Sequence, residues 1–303
     1  MKRMQTTPLS EVRAPVRQAL QAWLQQVAQG NGGLLFLSGE RGAGRTALMR
    51  EMTALAPQMG LLPAEGWCRG EQVEPVWMPV AHLLEQIAQA FPDDPAVQPL
   101  NEQVEQWLRT PHSRFLPVQM VRTLRTIARK QPLLLCLDDF HRASEPLIRM
   151  LESWLFGVRY EPIGILLTLA TPVENPALYA LMRRSQEQSV GQEVVIPPLS
   201  ESETAALVRD WCPALREASE FVHTLWKRTG GNLLFTVEIL RAIAIDKNLR
   251  AGTADWEGWI PAGLRVLVQR SAQELSTRDR TLLQWLSCFE GGVPFRELES
   301  EPG

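Results

Sequence analysis

Residues 39–46 of this sequence, GERGAGRT, have types and spacing suited to binding phosphate groups and a divalent cation. They nearly match the pattern G-x-x-x-x-G-K-[ST]. Glycines at these positions let backbone amides surround phosphate oxygens without clashes from Cβ atoms. A helix that begins there adds its unpaired amides and its dipole. The apolar run before the segment and the amphipathic stretch after it favour a phosphate-binding loop over a glycine-rich hairpin or helix cap.

Two side chains of this loop have predicted roles of their own. The cation at position 45 is expected to reach the β- and γ-phosphates, and the Thr46 hydroxyl to hold Mg²⁺. The cation is Arg45 where the pattern has lysine, and its flat guanidinium is bulkier and aims differently from an ammonium group. We therefore expect nucleotide binding to survive and hydrolysis to suffer. The loop residues predicted to bind nucleotide are Gly39, Gly42, Gly44, Arg45, Thr46 and Ala47.

A pair of carboxylates, Asp138 and Asp139, follows the apolar run LLLCL. Ligands of parallel α/β sheets bind at the carboxyl ends of the strands, where this pair is expected to lie. One carboxylate there can hold Mg²⁺ and a second can polarise an attacking water. We assign Asp138 to the metal, with Thr46, and Asp139 to catalysis, with Arg45. The alternative is a solvated turn at the end of a strand, because Asp is a common turn residue.

The elements expected to position these residues alternate between apolar strands and amphipathic helices. Short apolar runs predict strands at 33–38, 132–137, 163–169 and 194–196, while helical spacing predicts helices at 16–27, 48–55, 83–91, 117–129 and 147–155. Apolar strands that alternate with helices indicate a parallel sheet covered on both faces.

After Pro197 the pattern changes to helices alone. The sequence predicts helices at 201–210, 217–228, 233–246, 262–274 and 277–287, with a loop at 247–260. Ser200 and Glu203 have the spacing of a capping box at the start of the first of these helices.

The composition excludes several classes of protein. The chain has 303 residues, 45% of them hydrophobic and 21% charged, and a net charge of -3, so it lacks a global basic field for nucleic acid. Its four cysteines have no metal-ligand spacing and are expected to be free thiols in a reducing compartment. The start is not a secretory signal, and the apolar runs are too short to span a membrane. We expect a cytoplasmic protein with no membrane contact.

The segment LLLCLDDFHRAS at 133–144 resembles the second nucleotide motif of the STAND ATPases, signal-transduction ATPases with numerous domains that are related to the AAA+ class. The likeness is greatest to the modules of large LuxR-type bacterial transcription regulators. Residues 66–68, 75–79 and 197–200 are similar to further family segments. Residues 229–233, TGGNL, resemble the Gly-Asn-Pro motif of the family's lid, which lies near the nucleotide base, so the resemblance adds Asn232 to the nucleotide-binding residues.

This resemblance implies an architecture and a ligand. It implies a three-layer α/β P-loop NTPase domain at 1–197, a helical lid at 198–260 and the start of a winged-helix domain at 261–303, in a fragment of a longer protein. The ligand would be ATP or ADP with Mg²⁺. Self-association could follow ATP binding, and DNA would be reached only through a domain absent from this chain.

Four positions depart from the family pattern. Arg45 replaces lysine, Leu233 stands where proline is usual, residues 168–172 lack the sensor arginine, and no Gly-Arg-Glu element is evident at 8–13. The first hypothesis is therefore an ATP/ADP-binding switch module of a signal-transduction ATPase that regulates transcription, with slow or impaired hydrolysis. Two alternatives remain open at this point: a non-hydrolysing scaffold for protein binding, and an AAA+ factor that handles DNA.

Overall fold

The structure is a computed structural model that describes residues 12–70, 76–109, 117–215, 219–245 and 277–286, together with the single positions 265 and 269. The predicted helix at 262–274 therefore lies almost entirely outside the described residues, as does the predicted loop at 247–260. Of the winged-helix start predicted at 261–303, the structure describes 277–286 and the positions 265 and 269, and this domain stays a prediction.

Five parallel strands form one sheet in the order β2-β3-β4-β1-β5. Strands β1, β3 and β4 are buried along their whole length, which explains their continuous apolar sequences. The strands are β1 (Gly33–Gly39), β2 (Leu62–Trp67), β3 (Leu133–Asp138), β4 (Ile163–Ala170) and β5 (Gly191–Ile196).

Helices cover both faces of the sheet. Leu35 and Leu37 of β1 pack with α1 and α2 on one face, while Leu34 and Phe36 pack with α3, α5, α6 and α7 on the other. The three layers confirm the predicted fold class. The described helices are α1 (Ala14–Ala28), α2 (Arg45–Leu55), α3 (Met78–Ala90), α4 (Gln98–Arg109), α5 (Pro117–Ala128), α6 (Glu145–Val158), α7 (Pro176–Glu187), α8 (Glu201–Trp211), α9 (Ser219–Thr229), α10 (Leu233–Ile245) and α11 (Thr277–Leu286).

Three elements of the α/β layer were not predicted, namely β2, α4 and α7. Strand β2, LPAEGW, is an edge strand with alternating burial, so it lacks the apolar run that marks a central strand. Helix α7 begins with Asn175 as its N-cap and a proline in its first turn. These two residues are typical of a helix start and could have been recognised in the sequence. The predicted strand at 194–196 is confirmed but begins earlier, at Gly191.

The lid is helical throughout its described part. Helices α8, α9 and α10 enclose a separate apolar core that includes Leu207, Leu225 and Leu240. The predicted capping box is present, since Ser200 Oγ accepts from the Glu203 amide at 3.1 Å and the Glu203 carboxylate accepts from the Ser200 amide at 2.9 Å. The lid boundary predicted at 260 lies outside the described residues and stays a prediction.

The segment before α1 joins the lid to the α/β layer. Val12 belongs to the lid core, and the Arg13 amide donates to Glu203 Oε1 at 2.9 Å. The buried Arg13 guanidinium also donates to the Pro197 carbonyl, at the point where the chain leaves β5 for the lid. Arg13 therefore bonds both to the first turn of α8 in the lid and to the segment that connects β5 to the lid.

Other sequence-based expectations have structural outcomes. Cys68, Cys136 and Cys212 are buried thiols outside any disulfide bond, and Cys288 lies outside the described residues. None of the described helices is long and apolar enough to cross a membrane. Arg125 donates to the Gly157 carbonyl at 2.8 Å and Arg129 contacts Glu161 at 3.0 Å, so these two arginines connect α5 to the end of α6.

Candidate nucleotide-binding site

The glycine loop joins the end of β1 to the start of α2 at the carboxyl edge of the sheet. Gly42 and Gly44 have φ values of 83° and 98°, a left-handed conformation that suits glycine and strains other residues. Gly44 is the N-cap of α2, so the unpaired amides of that helix begin directly after the loop. Ala47 is the third residue of the helix and is exposed. The loop thus has the conformation expected of a phosphate cradle.

Asp138 and Thr46 meet where the sequence analysis expects a metal. The Thr46 hydroxyl donates to Asp138 Oδ2 at 2.9 Å. The other carboxylate oxygen, Oδ1, accepts from the Thr168 hydroxyl at 2.5 Å. Asp138 is only 5% exposed, and these two bonds fix its orientation. A hydroxyl and a carboxylate at this spacing are oxygen donors of the kind that Mg²⁺ prefers.

Protein groups alone do not enclose a metal here. Among the described residues there is no group of three or more His, Cys, Asp or Glu side chains that could hold an ion. The donor set of Thr46 and Asp138 instead fits a magnesium ion that takes its remaining ligands from phosphate oxygens and water, as nucleotide-bound Mg²⁺ does.

The backbone of Asp139 has a left-handed conformation, with φ at 51°, which residues other than glycine adopt at an energetic cost. Its amide donates to the Thr168 hydroxyl at 2.8 Å and to Asp138 Oδ1 at 3.1 Å. Burial, and then the charge of Asp138, raise the pKa of the Asp139 carboxyl, while Arg45 acts in the opposite direction. A carboxylate with a raised pKa accepts a proton more readily, which suits the predicted role beside an attacking water.

Arg45 is engaged with the protein itself. Its Nη1 donates to the Gly39 carbonyl at 2.9 Å, and its Nη2 lies 3.5 Å from Asp139 Oδ1. The residue is only 9% exposed, and burial lowers the pKa of its guanidinium even though both aspartates oppose this. The predicted phosphate ligand and the predicted base are therefore paired with each other.

His141 follows the acidic pair and lies beside it. Its Nδ1 is buried, 3.9 Å from Asp139 Oδ1, and has no hydrogen-bond partner. Burial, followed by the charges of Arg45, Arg41 and Arg142, lowers the pKa of His141 to about 4. The imidazole is thus neutral at physiological pH. It lines a cavity of about 790 Å³ with Arg41 and with residues 170–178, at the end of β4 and the start of α7.

Asn232 reaches the loop from the lid. Its Nδ2 donates to the Arg41 carbonyl at 2.8 Å, and its Oδ1 caps α10 by accepting from the Leu234 and Phe235 amides at 3.1 and 3.3 Å. Both polar atoms of the side chain are therefore bound to backbone groups. Its predicted contact with nucleotide stays a prediction.

The structure brings together all the loop and acidic residues that the sequence singled out. Thr168 was missed, although it binds Asp138 and the Asp139 amide. The available signal was a single hydroxyl in the otherwise apolar strand ILLTL, on the strand next to β3.

Comparison with known proteins finds a likeness over the part of the chain that carries this site. Residues 12–158 match the family model described as the AAA ATPase domain. This segment is therefore similar to AAA ATPase domains. Among curated proteins, none matches the chain.

Solved structures resemble this chain at low sequence identity. The Aeropyrum pernix ORC2 protein in ADPNP–ADP complexes is 14% identical over 96% of this chain and 71% of its own, with a TM-score of 0.50. Its ADP form is 14% identical over 80% of this chain and 68% of its own, with a TM-score of 0.51. These likenesses show the α/β P-loop ATPase fold.

One further match is a STAND protein with a tetratricopeptide repeat sensor from Pyrococcus horikoshii. It is 16% identical over 91% of this chain and only 35% of its own, with a TM-score of 0.43.

Proposed function

We propose that this AAA ATPase module is an ATP/ADP-binding switch in which hydrolysis is slow. The observation that carries the proposal is the hydrogen bond from Thr46 to Asp138, which joins the glycine loop to the end of β3. It places a hydroxyl and a buried carboxylate beside a loop whose glycines have the cradle conformation. Thr46 and Asp138 would hold Mg²⁺ there, which would supply positive charge to offset that of the phosphates.

Slow hydrolysis is supported by the pairing of Arg45 with Asp139. To assist phosphoryl transfer, Arg45 would have to contact the phosphates, and Asp139 would have to contact a water. In this structure the guanidinium instead bonds the Gly39 carbonyl and lies 3.5 Å from the Asp139 carboxylate. Breaking those contacts would cost energy before either group could act.

The switch would operate through the lid, since α10 contacts the loop directly. A bound nucleotide that alters the conformation of the glycine loop would also alter the packing of the lid against that loop. The change in lid packing would in turn change the tendency of the protein to self-associate. The likeness of residues 133–144 to the STAND motif supports an output in signalling, as transcription control through a DNA-contacting domain. The described cysteines are buried thiols outside any disulfide bond, which supports a location in a reducing compartment such as the cytoplasm.

A scaffold that binds nucleotide weakly or not at all is the second candidate. The observation in its favour is again Arg45, because a cation committed to Gly39 and Asp139 leaves the phosphates without their usual partner. The Thr46–Asp138 bond counts against it, since a protein-binding scaffold has no need of a hydroxyl and a carboxylate placed to hold Mg²⁺.

The test of slow hydrolysis is Arg45→Lys. Lysine keeps the charge but lacks the guanidinium fork, so it should release Asp139 and contact phosphate as a point charge. We expect phosphate release at saturating MgATP to rise about 100-fold, at the low end of what a freed general base contributes. Arg45→Met, which has no charge, should stay at or below the wild-type rate. A lysine variant no faster than wild type would contradict this explanation.

A further inference from the structure

The N-terminal end of α10 contacts the outer, carbonyl face of the phosphate loop. Asn232 Nδ2 donates to the Arg41 carbonyl at 2.8 Å, and the Leu234 amide donates to the Gly42 carbonyl at 3.0 Å. In a loop that binds phosphate, backbone amides are the groups that meet the anion. Carbonyls of the same loop remain available to another partner, and here that partner is the lid.

The loop glycines make room for this contact. A Cβ atom at Gly42 would lie 2.6 Å from Asn232 Oδ1 and 2.9 Å from Leu234 Cβ. A Cβ atom at Gly44 would lie 2.8 Å from Leu233 Cδ2. Leu234 Cβ is fixed to the helix backbone, so the lid requires glycine at position 42. The end of the Leu233 side chain can shift, so at position 44 glycine is required by the left-handed backbone.

Asn232 is held rigidly within the lid. The turn before it is bonded to the start of the lid, since the Leu199 amide donates to the Gly231 carbonyl at 2.7 Å. The indole of Trp226 donates to the Leu199 carbonyl at 2.8 Å. Asn232 itself caps α10. A displacement of the lid must therefore displace Asn232, which donates to the Arg41 carbonyl of the loop.

We propose that Asn232 is a positioning residue that couples the lid to the shape of the phosphate loop, without itself contacting the phosphates. This proposal rests on the nucleotide binding proposed above. The lid holds Arg41 and Gly42 in the cradle conformation, so the loop is organised before ligand arrives. Because coupling between two sites is reciprocal, nucleotide on the inner face tightens the lid contact on the outer face.

Two substitutions separate this link from the helix cap. Asn232→Ser and Asn232→Asp both keep an oxygen that caps α10, as serine and aspartate are good N-cap residues. Both lose the amide donor to the Arg41 carbonyl. The serine variant is neutral, so a shared effect cannot come from added charge. Ser202→Asp is the matched control, because it adds one negative charge to the exposed first turn of α8, away from the loop.

The experiment measures MgADP affinity by calorimetry and amide hydrogen exchange of the full chain, with and without MgADP. Both Asn232 variants should bind MgADP about 5-fold more weakly, the change expected from losing one hydrogen bond of ordinary strength. Without nucleotide, the Leu234 and Ala43 amides should exchange faster in both variants. In wild type alone, MgADP should slow the exchange of Leu234.

The outcomes distinguish this proposal from the one on which it rests. If wild type binds MgADP and both variants match it in affinity and exchange, the coupling proposal is overturned. If wild type binds no nucleotide while the variants still exchange faster, the nucleotide proposal fails and the mechanical link between lid and loop stands.

Discussion

At the scale of single residues, the site depends on one carboxylate that is held by two hydroxyls. Thr46 and Thr168 approach Asp138 from different elements, at 2.9 and 2.5 Å. Thr46 and Asp138 are 92 residues apart in sequence, and they meet because α2 begins at the edge of the sheet where β3 ends. Each bond to an ionised group contributes about 1.5–3 kcal/mol, enough to fix the carboxylate before any ligand binds.

His141 yields a prediction about acid stability. Its pKa is about 4 in the folded protein against the usual 6.5, so the unfolded chain takes up a proton first as the pH falls. Stability should therefore be lost between pH 6.5 and 4, by at most roughly 3 kcal/mol from this residue. His141→Gln should flatten that part of the profile in urea unfolding. The exposed His223→Gln serves as control, and equal slopes in all three proteins would contradict the assignment.

The sequence predicted which residues form the site, but it did not predict which of them contact each other. The glycines, Thr46 and the aspartate pair were identified because each matches a pattern that phosphate and Mg²⁺ impose on a few adjacent residues. The pairing of Arg45 with Asp139 could not be predicted in that way, because it depends on where two side chains 94 residues apart are directed. Thr168 was missed for the same reason, since its role comes from the pairing of β4 with β3.

At the scale of elements, burial decided which strands the sequence could reveal. The central strands β1, β3 and β4 are buried on both faces and appear as uninterrupted apolar runs. Strand β2 contains proline, glutamate and glycine and lies at the edge, where only alternate positions are buried. Its sequence resembles a loop, and only its pairing with β3 makes it a strand.

The contact between α1 and β4 predicts a steric requirement at Gly164. A Cβ atom there would lie 2.9 Å from Trp23 Cη2 and 2.9 Å from Val27 Cγ2. We expect Gly164→Ala to lower the free energy of unfolding by about 1–3 kcal/mol, the usual cost of overpacking a core. Urea unfolding should show a lower midpoint with an unchanged slope.

A double-mutant cycle checks the cause of that effect. Trp23→Phe removes the ring atoms nearest Gly164, so the double variant should be less destabilised than the two single variants together predict. Simple additivity, or a Gly164→Ala protein as stable as wild type, would show that α1 does not restrict this position.

At the scale of the whole molecule, the α/β layer and the lid meet at two places that serve different purposes. Arg13 joins the lid to the end of β5 through Glu203 and Pro197. Asn232 joins the lid to the phosphate loop. The first contact attaches the start of the lid to the end of β5, and the second connects the lid to the loop proposed to bind nucleotide. This arrangement supports the proposed nucleotide switch.

Nucleotide binding by the glycine loop, with Mg²⁺ held by Thr46 and Asp138, is the proposal on which the others rest. The most direct test is calorimetric titration of the full chain with MgADP and MgATP, beside Thr46→Ser and Thr46→Ala. Wild type and the serine variant, which keeps the hydroxyl, should bind. The alanine variant should bind about 10-fold more weakly, a difference of about 1.4 kcal/mol, and should lose its response to Mg²⁺. Absence of binding by wild type at millimolar nucleotide would contradict the account.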